Sequence, residues 1–104
     1  MVTVLKFSAS WCGPCKALSQ TLGEKENLKE IDIEKNPEIT QQYKIRNVPT
    51  LVFLQNGIEI HRTTGLINSK TYDDIVTEIN DSKEHNVKNI LAIEVVDEII
   101  EKNE

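Results

Sequence analysis

Val2-Thr-Val-Leu-Lys-Phe7, followed at once by Trp11-Cys12-Gly13-Pro14-Cys15-Lys16, is the stretch on which the reading of this chain turns. The first run is β-branched and partly alternating, so it reads as a strand. The second opens a helix that continues through Lys16-Ala-Leu-Ser-Gln-Thr-Leu22 to about Lys25. Pro14 falls in the first turn of that helix, where a missing N–H costs least. Cys12 and Cys15 are the only cysteines in the chain. Two thiols three positions apart at a helix start can close a small disulfide ring and reopen it.

Three readings of the pair compete. A zinc site needs about four ligands, and there is no second cysteine pair; His61 and His85 stand alone in unrelated elements. Two inert buried cysteines are the second reading. The third is thiol–disulfide exchange, which the setting beside Trp11, Gly13 and Pro14 favours. A thiolate, not a thiol, attacks a disulfide. At a helix N-terminus Cys12 gains from the dipole and from unpaired backbone N–H groups, which lowers its thiol pKa. Cys15, one turn further in, is the more shielded. Cys12 is therefore expected to attack and Cys15 to resolve the mixed disulfide.

Working outward, Leu28 to Ile33 reads as a strand and Asn36-Pro37 as the start of a short helix, Glu38 to Tyr43. Arg46-Asn47-Val48-Pro49 is a loop, and Thr50 to Leu54 is a strongly apolar strand. Asn56-Gly57 is a hairpin signal joining that strand to Ile58 to Thr63. A helix is expected from about Lys70 to Ser82, with Tyr72, Ile75, Val76 and Ile79 on one face. The order β-α-β-α-β-β-α demands a crossover first and a hairpin later. An α/β fold follows, a mixed four-stranded sheet with helices on both faces. The tail from Val87 to Glu104 has an apolar face opposite an acidic one. It reads as an amphipathic helix, with a strand at Ile90 to Val96 as the alternative. The expected division is a domain over 1–84 and a C-terminal extension over 85–104.

A chain of 104 residues fits one domain. Its 17 acidic and 12 basic residues give a net charge of −5, which disfavours phosphate backbones. No apolar run approaches the roughly 20 residues of a membrane span. The N-terminus does not read as a signal peptide, because Lys6 interrupts a short apolar run. A cytoplasmic, reducing compartment is the expectation.

Taken together, these motifs closely resemble the thioredoxin family. Trp11-Cys-Gly-Pro-Cys-Lys16 matches its active-site signature, and Val48-Pro49-Thr50 its second, a cis-proline loop facing the cysteines. Asn36-Pro37, Asn56-Gly57 and Gly65 fall at the expected intervals, so the resemblance covers roughly Val2 to Ser82. It implies a cis Pro49, a Val48 backbone that pairs with an extended substrate segment, and a docking surface of Trp11, Gly13, Pro14, Val48, Pro49 and Gly65. An ordinary trans proline and a core tryptophan are the plainer alternatives. No bound cofactor or metal is implied, only a reversible Cys12–Cys15 disulfide recycled by an external reductase.

The chain also departs from the family. It starts at the active-site strand, without the usual preceding strand and helix, and its main helix is short. The tail helix is expected to pack where the missing helix would lie, the alternative being a loose or dimer-forming tail. The family buries an Asp six residues before the first cysteine, where this chain has Lys6. It places a Lys seven residues before the Pro of Asn-Pro, where this chain has Glu30. The resemblance therefore implies an exchanged pair, with Glu30 in the proton-transfer role and Lys6 favouring thiolate; the alternative is two charges splayed towards solvent.

The expected function is a monomeric protein-disulfide reductase, recycled by an NADPH-dependent thioredoxin reductase, with no nucleic-acid or membrane partner. A glutaredoxin-like enzyme using glutathione and a non-catalytic binding subunit are the competing readings.

Overall fold

Alternation along two strands sets the sheet. In the computed structural model, β1 (Val2–Ser8) and β3 (Thr50–Gln55) are its central strands. Leu5, Phe7, Val52 and Leu54 are buried on one face, with Ile39 and Tyr43 packed against them. Val4, Lys6, Leu51 and Phe53 are buried at the intervening positions. A strand covered on both faces reads as a near-continuous apolar run rather than a clean alternation, which is why Thr50 to Leu54 looks as it does.

The structure describes the backbone of residues 1–93 and the side chains of residues 1–81. The remaining elements are α1 (Gly13–Leu22), β2 (Leu28–Asp32), α2 (Pro37–Gln42), β4 (Ile58–Thr64) and α3 (Ser69–Ile93). The sheet order is β2-β1-β3-β4. β1 and β2 are parallel, joined by the α1 crossover, with Lys6 opposite Glu30 and Ser8 opposite Asp32. β1–β3 and β3–β4 are antiparallel. At the hairpin, Asn56 (φ 54°) and Gly57 (φ 82°) both take positive φ, as the tightest two-residue turns require. Pairing along β4 slips by one residue between Phe53 and Leu54, so Ile60 bulges out of register. These elements are those of the expected α/β fold, and the strands begin where the sequence placed them.

The helices attach by apolar residues one turn apart. α1 buries Cys15, Leu18 and Leu22, and it ends at Gly23, short of Lys25. Ile39 within α2 and Tyr43 at its end, four positions apart, lie on one side and seat that helix on the sheet. On the other face, Tyr72 packs its ring against Phe53, centroids 5.8 Å apart, and donates its hydroxyl to Asn27 Oδ1 at 3.0 Å. Each fully buried aliphatic or aromatic side chain of this kind stabilises the fold by roughly 1.5–3 kcal/mol.

Met1–Asp74 forms one compact unit, which holds the whole sheet and the candidate site; α3 from Ile75 onward belongs to a second. In that second unit Ile79 is buried and Ile75 and Val76 are half-buried, on the stripe the periodicity predicts. The helix expected to stop at Ser82 instead continues to Ile93, so no break separates residues 82 and 87. Residues 90–93 are helical rather than extended. The expected packing of the 85–104 extension lies outside the described residues.

Candidate active site

Cys12 is the N-cap of α1 and Cys15 lies in its first turn. The two are joined in a disulfide, with Cα atoms 5.3 Å apart. The Cys15 backbone N–H donates to Cys12 Sγ at 3.1 Å. This is one of the donors that a helix start leaves without an intrahelical partner. A sulfur takes here the place that an oxygen takes in a usual cap, and a thiolate at that atom meets both the N–H and the positive end of the helix dipole. Both cysteines are buried. Ala9, Ile33 and Val48 pack around them.

The loop before β3 supplies the other wall. The Val48–Pro49 peptide bond is cis, and Pro49 is fully buried. Cys12 Sγ lies 3.8 Å from the Val48 carbonyl oxygen. Gly65 (φ 90°) donates its N–H to the Pro49 carbonyl at 2.9 Å, in a conformation that a side chain would strain. At Gly13 an added Cβ would meet nothing within 4 Å. That glycine is therefore not required by packing within the chain.

Trp11 is 65% exposed, so it is not a core aromatic. Its indole Nε1 donates to Glu34 Oε2 at 3.0 Å, which ties the ring to the segment after β2. Leu66, next to Gly65, is likewise exposed.

The Lys6 and Glu30 side chains do meet. Nζ and Oε2 are 3.6 Å apart, but only the lysine is buried; the Glu30 side chain is 60% exposed. Neither the fully buried pair nor the pair splayed to solvent describes this arrangement. Two hydroxyls complete it. Lys6 Nζ donates to Ser19 Oγ, and Ser8 Oγ donates to Glu30 Oε2 at 2.7 Å. Ser8, Ser19 and Glu30 line a cavity of about 570 Å³ together with Cys15, Lys16 and Asp32. The sequence pattern assigns Ser8 no role and does not single out Ser19. Faint signals are present all the same: Ser8 is two residues from Lys6 on one strand face, and Ser19 is one helical turn beyond Cys15. Among the described residues no group of His, Cys, Asp or Glu is arranged to hold a metal ion. No described helix is long and apolar enough to cross a membrane.

A sequence model of the family described as Thioredoxin matches residues 1–81. The chain belongs to the thioredoxin family. It is 39% identical over 79 residues to Thioredoxin-1 of Drosophila yakuba, covering 62% of this chain and 74% of that protein. It is 32% identical over 71 residues to a thioredoxin of Chlamydia trachomatis, covering 62% and 70%. Among solved structures, the germline-specific thioredoxin Deadhead of Drosophila melanogaster superposes with a TM-score of 0.62 at 31% identity, over 73% of this chain and 79% of that one. The Malassezia sympodialis thioredoxin does so with a TM-score of 0.62 at 31% identity, over 73% of each chain. With its Cys12–Cys15 disulfide, this thioredoxin-family chain is a thiol–disulfide oxidoreductase.

Proposed function

We propose that the chain reduces disulfides of protein substrates through the Cys12-Gly13-Pro14-Cys15 dithiol. The observation that carries this reading is the Cys15 N–H aimed at Cys12 Sγ. It supports Cys12 as the sulfur whose thiolate the helix start stabilises, and so as the nucleophile. The Cys12 thiolate attacks one substrate sulfur, a Cys12–substrate disulfide forms, and the second substrate sulfur leaves as a thiolate that takes a proton. Cys15 then loses its proton and attacks Cys12 Sγ. The first substrate sulfur leaves as a thiolate and is protonated. Two electrons have passed to the substrate, and the Cys12–Cys15 disulfide remains. An external dithiol reductase, supplied with electrons by NADPH, returns it to the dithiol.

The surroundings of the disulfide support the remaining roles. An extended substrate segment lies along the Val48 backbone, beside Pro49 and Gly65, with Trp11 at its border and the open flank of Gly13-Pro14 beneath it. Glu30 accepts the Cys15 proton across the polar cavity, and Lys6 supplies positive charge behind the dithiol.

The test is insulin reduction with dithiothreitol as the recycling reductant, by wild type, Cys12→Ser and Cys15→Ser. Wild type should accelerate insulin reduction above the dithiothreitol background, Cys12→Ser should not, and pre-reduced Cys15→Ser mixed with insulin without dithiothreitol should accumulate a mixed disulfide at Cys12. Acceleration above the dithiothreitol background that survives replacement of both cysteines would sink the reading.

A further inference from the structure

The loop that presents Val48 is irregular, yet several of its backbone carbonyls are tied down. Thr50 Oγ1 donates to the Asn47 carbonyl at 2.7 Å. Gly65 N–H donates to the Pro49 carbonyl at 2.9 Å. At the loop's upstream end, Arg62 Nη2 donates to the Tyr43 carbonyl at 2.9 Å. Between these fixed points, the Val48 carbonyl faces Cys12 Sγ. Each tether comes from β3, β4 or the residue after β4. Arg62 is the one long side chain among them.

At the Tyr43 end, Arg62 takes a carbonyl of the helix terminus. Tyr43 is the C-cap of α2, and a helix end leaves carbonyls without intrahelical partners. Lys44 follows with φ 54°, a left-handed conformation that a residue with a side chain rarely adopts. The turn is closed by Lys44 N–H on the Gln41 carbonyl at 3.0 Å and Ile45 N–H on the Thr40 carbonyl at 3.1 Å, and the Tyr43 carbonyl is the one that Arg62 takes. Tyr43 is further seated by its ring, 5.9 Å from Phe7. Arg62 is in turn fixed from its own strand. Its Nε donates to Glu59 Oε2 at 2.7 Å and its Nη2 to Glu59 Oε1 at 2.8 Å, a two-point fork. The same contact lowers the Glu59 pKa and raises that of Arg62. Arg62 thus spans from β4 to the start of the docking loop with little freedom left in its head group.

We infer that Arg62, locked by Glu59, is a positioning residue that sets the Val48–Pro49 loop for protein substrates by holding the Tyr43 carbonyl. The inference rests on the docking role proposed for Val48 and Pro49. It separates two kinds of substrate. A protein disulfide must lay its backbone along the loop before Cys12 attacks, whereas a small disulfide needs only Cys12 itself, whose activation comes from α1.

The experiment uses the full chain, reduced beforehand, as wild type, Arg62→Met, Arg62→Lys and Glu59→Gln. Each is mixed with increasing insulin, and separately with 5,5′-dithiobis(2-nitrobenzoate) as the small disulfide. Arg62→Met keeps the apolar stem and loses the fork. It should raise the half-saturating insulin concentration about three- to tenfold and leave the small-disulfide rate constant within twofold. Arg62→Lys, one point charge for a planar fork, and Glu59→Gln should fall between. Unchanged insulin saturation in Arg62→Met, or equal losses with both substrates, would overturn the inference. Should Arg62→Met fail to fold, Glu59→Gln alone decides by the same split. If wild type itself fails to reduce insulin, the proposed function fails instead, and the two failures are told apart by that control.

Discussion

Lys6 and Glu30 make opposite predictions about what their removal costs. Lys6 is 1% exposed, and its ammonium has Ser19 and a carboxylate 3.6 Å away as partners. The Coulomb energy at that distance is about 4–5 kcal/mol at an effective dielectric of 20 and about 1 kcal/mol in water. Because the Glu30 carboxylate faces mostly solvent, the value belongs near the lower end, about 1–2 kcal/mol. Glu30→Gln should therefore destabilise the oxidised protein by about that amount, since the buried ammonium stays. A loss of this size corresponds to roughly 5–10 °C in Tm for a domain near 100 residues. Lys6→Met removes the charge whose burial is itself costly, and it leaves Glu30 with Ser8 and water. It should be neutral or stabilising by up to ~2 kcal/mol. Urea unfolding of the oxidised single variants and the double variant measures both terms and their coupling. Keeping the disulfide closed removes thiol titration from the comparison. A Lys6→Met variant that loses more stability than Glu30→Gln would refute the reasoning, because the ammonium would then be a net contributor.

Three further substitutions have expected outcomes. Tyr72→Phe leaves Asn27 Oδ1 without its donor and should cost about 1 kcal/mol in urea unfolding. Burial, with Asp73 adding to it, pushes the Tyr72 hydroxyl up to about 12. Its neutral form is favoured by folding, so stability should be fully present below the free value near pH 10 and fall as pH rises from there towards 12. The loss should be roughly 1–2 kcal/mol once solvent screening of a partly buried hydroxyl is allowed for, and Tyr72→Phe should flatten that part of the stability curve relative to wild type. Leu18→Ala, at a fully buried site on α1, should cost about 2–5 kcal/mol by thermal or urea unfolding. Trp11→Ala should change stability by no more than about 0.5 kcal/mol, as expected of an exposed side chain, while weakening insulin reduction in a turnover assay.

Much of this was legible in the residues. Partial alternation and β-branching marked β1, an apolar run marked β3, Asn56-Gly57 marked the hairpin to β4, and Cys12-Gly13-Pro14-Cys15 marked the helix start and its chemistry. The loop before Thr50 was legible too, but its cis bond at Pro49 came from the resemblance alone. Two things escaped. Nothing in the spacing of Lys70 to Ser82 announces that α3 runs on to Ile93, because the Lys, Glu, Asn and His that follow are all compatible with helix and none compels a stop. The cross-strand partners escaped too. Ser8 with Glu30, and Arg62 with the Tyr43 carbonyl, depend on register and on which face each strand turns, and both are set by tertiary pairing.

β2 is an outer strand of the sheet. Outer strands invite other chains to pair with them unless charge intervenes. Lys29, Glu30 and Asp32 occupy three of its five positions. Glu30 therefore serves two physical ends: it faces the buried ammonium of its neighbour, and it keeps this strand a poor template for a passing peptide. The solubility of the folded protein and the charge balance behind its dithiol are thus coupled through one side chain. Neutralising it should make self-association depend on protein concentration in a way that neutralising Lys6, hidden beneath α1, should not.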